Sequence, residues 1–410
     1  MQSSQFWTWA KTLSGFGQNA DGSLSRLAFT VSDVASRRWL QELWVSMHAD
    51  VHIDGIGNVI GRMGDPPYIL LSSHTDSVPY GGHYDGVLGV LAATFVLSQW
   101  DVHWGGLMVV DWSSEESSRF GMSTLGSRSA CGEADTLDWH QTDKDGISLQ
   151  DAAQKAFGYG SVPIWALPVS AIRAALELHI EQGTALAKAH QPLAVVTAIA
   201  APQRWVIALR GQANHSGSTL MADRHDALAA AAWLITRIEA ASARWESAGL
   251  HATVTAVEVD PGASNVIAGA VRLLLDIRAQ SADVLSTFSQ AFDKECQEVQ
   301  TLRGVHIDRR ILSQEQPGHL SPEIIEVLAG QLRARCMSPY MTTSWPSHDS
   351  LTLCRHVPTG MLFVRNMSGV SHQPGEAIDP QDIEWGLALY YQTVKALALG
   401  HNQSERVLSS

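Results

Sequence analysis

The chain of 410 residues carries 28 Lys+Arg against 41 Asp+Glu, a net charge of −13, with 45% apolar and only 17% charged residues. Its length suggests two or three domains, and its composition suits packed globular cores and excludes a disordered chain. The absence of any Lys/Arg-rich run argues against a nucleic-acid partner, because phosphate binding needs clustered cations.

At the N-terminus, MQSSQFWTWAKTLSGFG lacks a basic segment followed by an apolar one and does not read as a signal peptide. Tyr68–Ser72 reads as a buried strand, Val87–Trp100 as an apolar helix and Leu107–Trp112 as a second buried strand. Strand, helix, strand in this order is a βαβ unit, whose crossover makes a parallel sheet. The middle of the chain changes character. Arg204–Arg210 alternates like a half-exposed strand with a free edge, and the Ala-rich stretch Asp226–Ala241 predicts a helix. Strands near His251–Glu258 and Val271–Arg278 and a helix over Ala282–Gln300 follow. The longest apolar run, Ala227 to Ile235, is about half of what spans a bilayer, so no membrane segment is expected. A helix (Pro322–Cys336), a strand (Gly360–Val364) and a closing helix (Asp382–Leu399) return to the α/β style. The expected fold is α/β: a mostly parallel-sheet domain, residues 1–202 and 317–410, interrupted by a smaller α+β domain, residues 203–316. Cys131, Cys296, Cys336 and Cys354 are scattered and form no CxxC pair, which fits a reducing, cytoplasmic setting.

His74, Asp85 and the Glu115–Glu116 pair lie just beyond the carboxyl ends of the two parallel strands, where open α/β sheets place their ligands. Imidazole and carboxylate together suit Zn²⁺, Mn²⁺, Co²⁺ or Ni²⁺. Adjacent carboxylates permit a division of labour, one neutralising metal charge and the other free as a base. Asp76, two residues after His74, is placed to accept that ring's second proton.

Seven segments occur in order: SSHTDSVPYGGHYDG, EESSRFG, ELHIEQG, GQANHSGST with MADRHDAL, PGASNVI, LDIR and GVSHQPGE. Together they resemble the signature of hydantoinase/carbamoylase-type metallo-amidohydrolases, a family within the di-metal exopeptidases. It includes N-carbamoyl-L-amino-acid hydrolases, allantoate amidohydrolases and β-ureidopropionases. The resemblance runs from about Gly55 to Glu376. It implies two divalent ions per subunit, Zn²⁺ or Mn²⁺ with Co²⁺ or Ni²⁺ also suited, held by His74, Asp85, Glu116, His179 and His372. Asp85 would bridge the ions, and Glu115 would be the general base. His215 resembles an oxyanion-stabilising histidine supplied across a dimer interface by the inserted lid and dimerisation domain. Gln182, Asn265 and Arg278 resemble substrate contacts, the last two for a carboxylate, to which the planar guanidinium is suited.

Departures from the family pattern are Leu220, where proline is common, and Thr343-Ser-Trp-Pro-Ser-His348, where small residues are common. Trp345 and Pro346 are therefore expected to alter the pocket, and His348 to brace it from behind. The implied reaction is hydrolysis of the ureido C–N bond of an N-carbamoyl-L-amino acid to amino acid, CO₂ and ammonia. Allantoate or another ureido acid is the alternative, an N-acyl amino acid or peptide the next. A metal-binding relative without catalysis is the reading from a different class.

Overall fold

A computed structural model describes residues 3–408. They form two compact units. The first runs from the N-terminal helix to Thr197 and takes up His319–Ser344 and the chain from His348 onward; the second holds Ala198–Gly318 and Trp345–Ser347.

The first unit is built on a nine-stranded sheet. At its centre lie four parallel strands in the order Gly106–Trp112, Tyr68–His74, Ile172–Ile180 and Thr359–Val364. Antiparallel strands extend it, Val59–Met63 and then Asp50–Ile53 on one side, Leu193–Ile199 on the other. The central strands are buried on both faces, which explains their near-continuous apolar sequences. Helix Val87–Ser98 is buried along its length and apolar all round, so it presents no polar face to water. Thr30 caps helix Val31–Ser46 by accepting the Asp33 N–H.

The second unit is a four-stranded antiparallel sheet in the order His306–Gln314, Ala201–Arg210, Ala270–Ala279, Leu250–Asp260. Trp205, Ile207 and Leu209 point to one face of their strand and share a core with Val271, Leu273, Leu275 and Ile277. Helices Ala227–Trp245 and Ala282–Arg303 cover that face with Leu234, Ile238, Phe288 and Phe292. Asp226 and Ser281 cap the two helices by accepting main-chain N–H groups of their first turns.

The free edge expected at Arg204–Arg210 is not there. That strand is central, paired on both sides, and the sheet's edges are Leu250–Asp260 and His306–Gln314. The alternation expected of an edge strand also describes a central strand with one face covered by helices, so the pattern alone did not distinguish them. Among the described residues, no helix is long and apolar enough to cross a membrane.

Candidate active site and metal centre

Strand Tyr68–His74 continues three residues beyond its apolar run, so His74 sits on the strand itself and is buried. Its Nδ1 lies 3.0 Å from the main-chain oxygen of Asp76, which fixes the ring proton there and leaves Nε2 as the donor atom. The partner of His74 is thus the Asp76 carbonyl, not its carboxylate, whose nearer oxygen is 3.8 Å away. That carboxylate instead accepts the main-chain N–H groups of Glu115 (3.1 Å) and Glu116 (3.0 Å). Ser114, immediately before them, has φ 51, a left-handed backbone that this double hydrogen bond helps to hold.

Asp85 precedes Gly86, whose φ of 66 and close approach to the His74 ring leave no room for a side chain. Its two carboxylate oxygens face different histidines, Oδ1 at 3.2 Å from His179 Nε2 and Oδ2 at 3.1 Å from His372 Nε2. His372 Nε2 is also 3.2 Å from Glu116 Oε1. Two groups of three donors arise, His74–Asp85–His179 and Asp85–Glu116–His372, each with its ligating atoms within 4.8 Å of one another. Asp85 belongs to both.

The donor chemistry fits divalent ions. His179 Nδ1 faces the Ile180 carbonyl at 2.9 Å, which assigns it the proton. Its Nε2 then points a lone pair at the Asp85 carboxylate, an arrangement that calls for positive charge between them. Burial opposes a charged ring, yet the hydrogen bond and charge of Asp85 push His179 up to about 9. Hydrogen bonds to Asp85 and Glu116 likewise push His372 up to about 11. Asp85 is held well below the usual carboxylate range: burial works to raise it, and the His179 and His372 hydrogen bonds outweigh that. Three imidazoles and two carboxylates are a set suited to Zn²⁺ or Mn²⁺.

Glu115 stands outside both groups, its Oε2 3.8 Å from His74 Nε2. Burial, and then the negative charges of Glu116 and Asp349, push its carboxyl well above the ordinary glutamate value. A carboxyl more basic than an ordinary glutamate is better able to take up a proton. Gln182 donates to Asp85 Oδ2 at 2.8 Å, while its Oε1 is buried and has no hydrogen-bond partner among the described residues. His348 lies behind His179 with ring centroids 4.4 Å apart, its Nε2 2.9 Å from Ser344 Oγ. Glu177 could complete a third donor group with His179 and His348, but Ser73 and Ser350 donate to its two oxygens.

Several contributors escaped the sequence reading. Arg37 is fully buried, bonded to Asp33 (2.8 Å) and Asp111 (2.9 Å) and 3.7 Å from Asp76. Glu376 accepts the Tyr84 N–H and lies so close to Gly82 that any side chain there would collide with it. Glycine at position 82 reflects that close approach. Arg37 carried no motif, because two of its three partners, Asp76 and Asp111, are distant in sequence.

In the second unit, His215 is exposed on the short strand Asn214–His215, paired with Val266 next to Asn265. Its Nδ1 accepts N–H groups from Gly217 (3.1 Å) and Ser218 (3.2 Å), so the neutral ring carries its proton on Nε2. Arg224 pins this loop through the carbonyls of Ser216 and Thr219. Leu220 is exposed in the same loop. Arg278, on strand Ala270–Ala279, donates to Asp276 Oδ2 at 2.9 Å and to Ser347 Oγ at 3.5 Å.

The model of peptidase family M20/M25/M40 matches residues 70–396. The chain belongs to that family. It is 32% identical to an N-carbamoyl-L-amino acid amidohydrolase of Geobacillus stearothermophilus, over 98% of this chain and all of that one. It is equally 32% identical to a ureidoglycolate hydrolase of Arabidopsis thaliana (94% and 85% covered) and 31% identical to an allantoate amidohydrolase of Bacillus subtilis (92% and 93%). Among solved structures it resembles a hydantoinase/carbamoylase family amidase from Burkholderia multivorans, with TM-score 0.86, 27% identity and 97% and 98% of the two chains covered. These M20 relatives are amidohydrolases acting on carbon–nitrogen bonds other than peptide bonds.

Proposed function

We propose that this M20 amidohydrolase cleaves the ureido C–N bond of a small acid, an N-carbamoyl-L-amino acid in the first place, releasing amino acid, CO₂ and ammonia. The observation that carries the reading is the pair of donor groups sharing Asp85, with Glu115 beside them and outside both. Divalent ions held there would supply an acidified water and polarise the carbonyl. Glu115 takes the proton of the attacking water and returns it to the leaving nitrogen as the C–N bond breaks. Gln182 Oε1, a buried acceptor without a protein partner, suits a ureido N–H. Arg278 receives the substrate carboxylate, with Asn265 as a further polar contact, and the Nε2–H of His215 meets the developing negative charge on oxygen.

His215 and Arg278 of one chain belong to different sites in this reading. Edge strand Leu250–Asp260 exposes Val257 and Val259 and leads directly to the turn that holds Asn265. Pairing of two such edges about a two-fold axis would form a homodimer through the second unit, acting as lid and dimerisation domain, and deliver His215 to its partner. Four free cysteines suit a reducing, cytoplasmic setting.

Allantoate or ureidoglycolate hydrolysis stands beside the first reading, because relatives so named match at 31% and 32% identity. Release of ammonia and free amine by metal-loaded protein tests this on N-carbamoyl amino acids, allantoate, ureidoglycolate, β-ureidopropionate and N-acyl amino acids. Ammonia from a ureido acid is the expected result. Amine without ammonia would move the assignment to an N-acyl amidohydrolase, and inertness towards the whole panel would support a non-catalytic metal-binding protein.

A further inference from the structure

The three residues Trp345–Ser347 group with the second unit, although the chain on either side groups with the first. They lie along the strand pair Leu250–Asp260 and Ala270–Ala279, where His251 and Arg278 are direct cross-strand partners. The Trp345 indole stacks on the His251 ring with centroids 3.8 Å apart and planes 15° from parallel. Two residues on, Ser347 Oγ accepts from Arg278 Nη1. The indole therefore stands beside the guanidinium, one face taken by His251. Ser344 and His348, at the two ends of the segment, are both buried, and Pro346 restricts the backbone between them. A ring held in this way has little freedom to withdraw.

We infer that Trp345 is a specificity-determining residue: its clamped indole walls the carboxylate site at Arg278 and limits the substrate to ureido acids with a hydrogen, hydroxyl or methyl group on the carbon bearing the carboxylate. The inference rests on the proposed role of Arg278. Arg278 Nε and Nη1 are engaged by Asp276 and Ser347, which fixes the plane of the fork and hence where the carboxylate lies relative to the indole. A substituent on the adjacent carbon then has to share space with a rigid bicyclic side chain. Apolar pockets discriminate by roughly 10–200-fold per methylene group.

The test is kcat/KM for N-carbamoyl derivatives of glycine, alanine, valine, leucine and phenylalanine, with wild type, Trp345→Ala and His251→Ala. Wild type is expected to favour glycine and alanine. Trp345→Ala should raise the leucine-to-alanine ratio of kcat/KM at least tenfold, and His251→Ala, which keeps the indole but removes its clamp, should raise it by less. A wild-type preference for phenylalanine that Trp345→Ala abolishes would overturn the inference, since the indole would then attract the substituent. An unchanged ratio in both variants would overturn it too. If the panel is not hydrolysed, calorimetric binding of acetate against trimethylacetate replaces the rate ratio: wild type should reject the bulky acid and Trp345→Ala accept it. Failure of the underlying reading looks different, because Arg278→Met would then leave carboxylate binding and every kcat/KM unaltered.

Discussion

Arg278 lies at one end of the strand pair Ala201–Arg210 and Ala270–Ala279, and the chain leads to His215 from the other end. His215 follows Arg210, which pairs with Ala270, whereas Arg278 pairs with Pro202 at the far end of the same two strands. Eight residues of strand separate the ends, about 25 Å at the usual rise per residue. No small ureido acid bridges that span. If both side chains serve catalysis, they serve different sites, which the proposed dimer would provide.

A mixing experiment tests this. Glu115→Gln subunits and His215→Ala subunits, each strongly impaired alone, are combined under conditions that let dimers exchange. One site in each hybrid then carries neither lesion, and activity should reappear. His215→Ala by itself should lose ~10²–10³ in kcat, the usual cost of one oxyanion donor. Hybrids demonstrated by native mass spectrometry but without activity would rule out a shared site.

Glu115 and Glu116 are neighbours with different expected roles, and substitution separates them. Glu115→Gln should keep the metal and lose ~10²–10⁴ in kcat, the usual range for general acid–base catalysis. Glu116→Gln should lose metal affinity as well, because its Oε1 belongs to the Asp85–Glu116–His372 group. Near-normal kcat in Glu115→Gln would remove Glu115 from the proton-transfer role. Elemental analysis of both variants supplies the second readout.

The two donor groups differ in exposure, and that predicts the order of metal loss. His74 and His179 are buried, whereas the His372 side chain is 48% exposed. Elemental analysis should find close to two ions per subunit, leaving in two phases on dialysis against chelator. The first phase should be the one that His372→Ala eliminates, and activity should return with Zn²⁺, Mn²⁺, Co²⁺ or Ni²⁺. A single phase unaffected by that substitution would refute the assignment of separate sites.

Arg37 holds Asp33, Asp76 and Asp111 together in a fully buried network beneath the two glutamates. Arg37→Ala leaves three buried carboxylates without their cation, which should cost ~3–5 kcal/mol of stability. Urea denaturation measures it. Because Asp76 anchors the N–H groups of Glu115 and Glu116, the variant should also bind metal more weakly at temperatures where it remains folded. Wild-type metal affinity there would limit Arg37 to a stabilising role.

Much of the site was legible in the sequence because its residues fall in short segments at the ends of apolar strands. His74, Asp85 and Glu115–Glu116 follow directly from the βαβ pattern, and ordered motifs supplied His179, His215, Asn265, Arg278 and His372. Local chemistry was readable where a residue's neighbours in space were also its neighbours in sequence. Other features depended on distant contacts. Asp76 meets the His74 ring as its spacing suggested, but through its carbonyl, while its carboxylate binds N–H groups some forty residues away. Strand Arg204–Arg210 looked like an edge, because alternation reports which faces are buried and says nothing of which strands lie alongside. The sequence alone thus indicated the amidohydrolase class and nominated residues for its chemistry, since those depend on side-chain identity and local spacing. Only the tertiary structure decided that Arg37 underlies the glutamate pair, that Trp345 is clamped by His251 beside Arg278, and that His215 and Arg278 of one chain lie too far apart to share a small substrate. Each depends on long-range strand order and burial, which local periodicity does not encode.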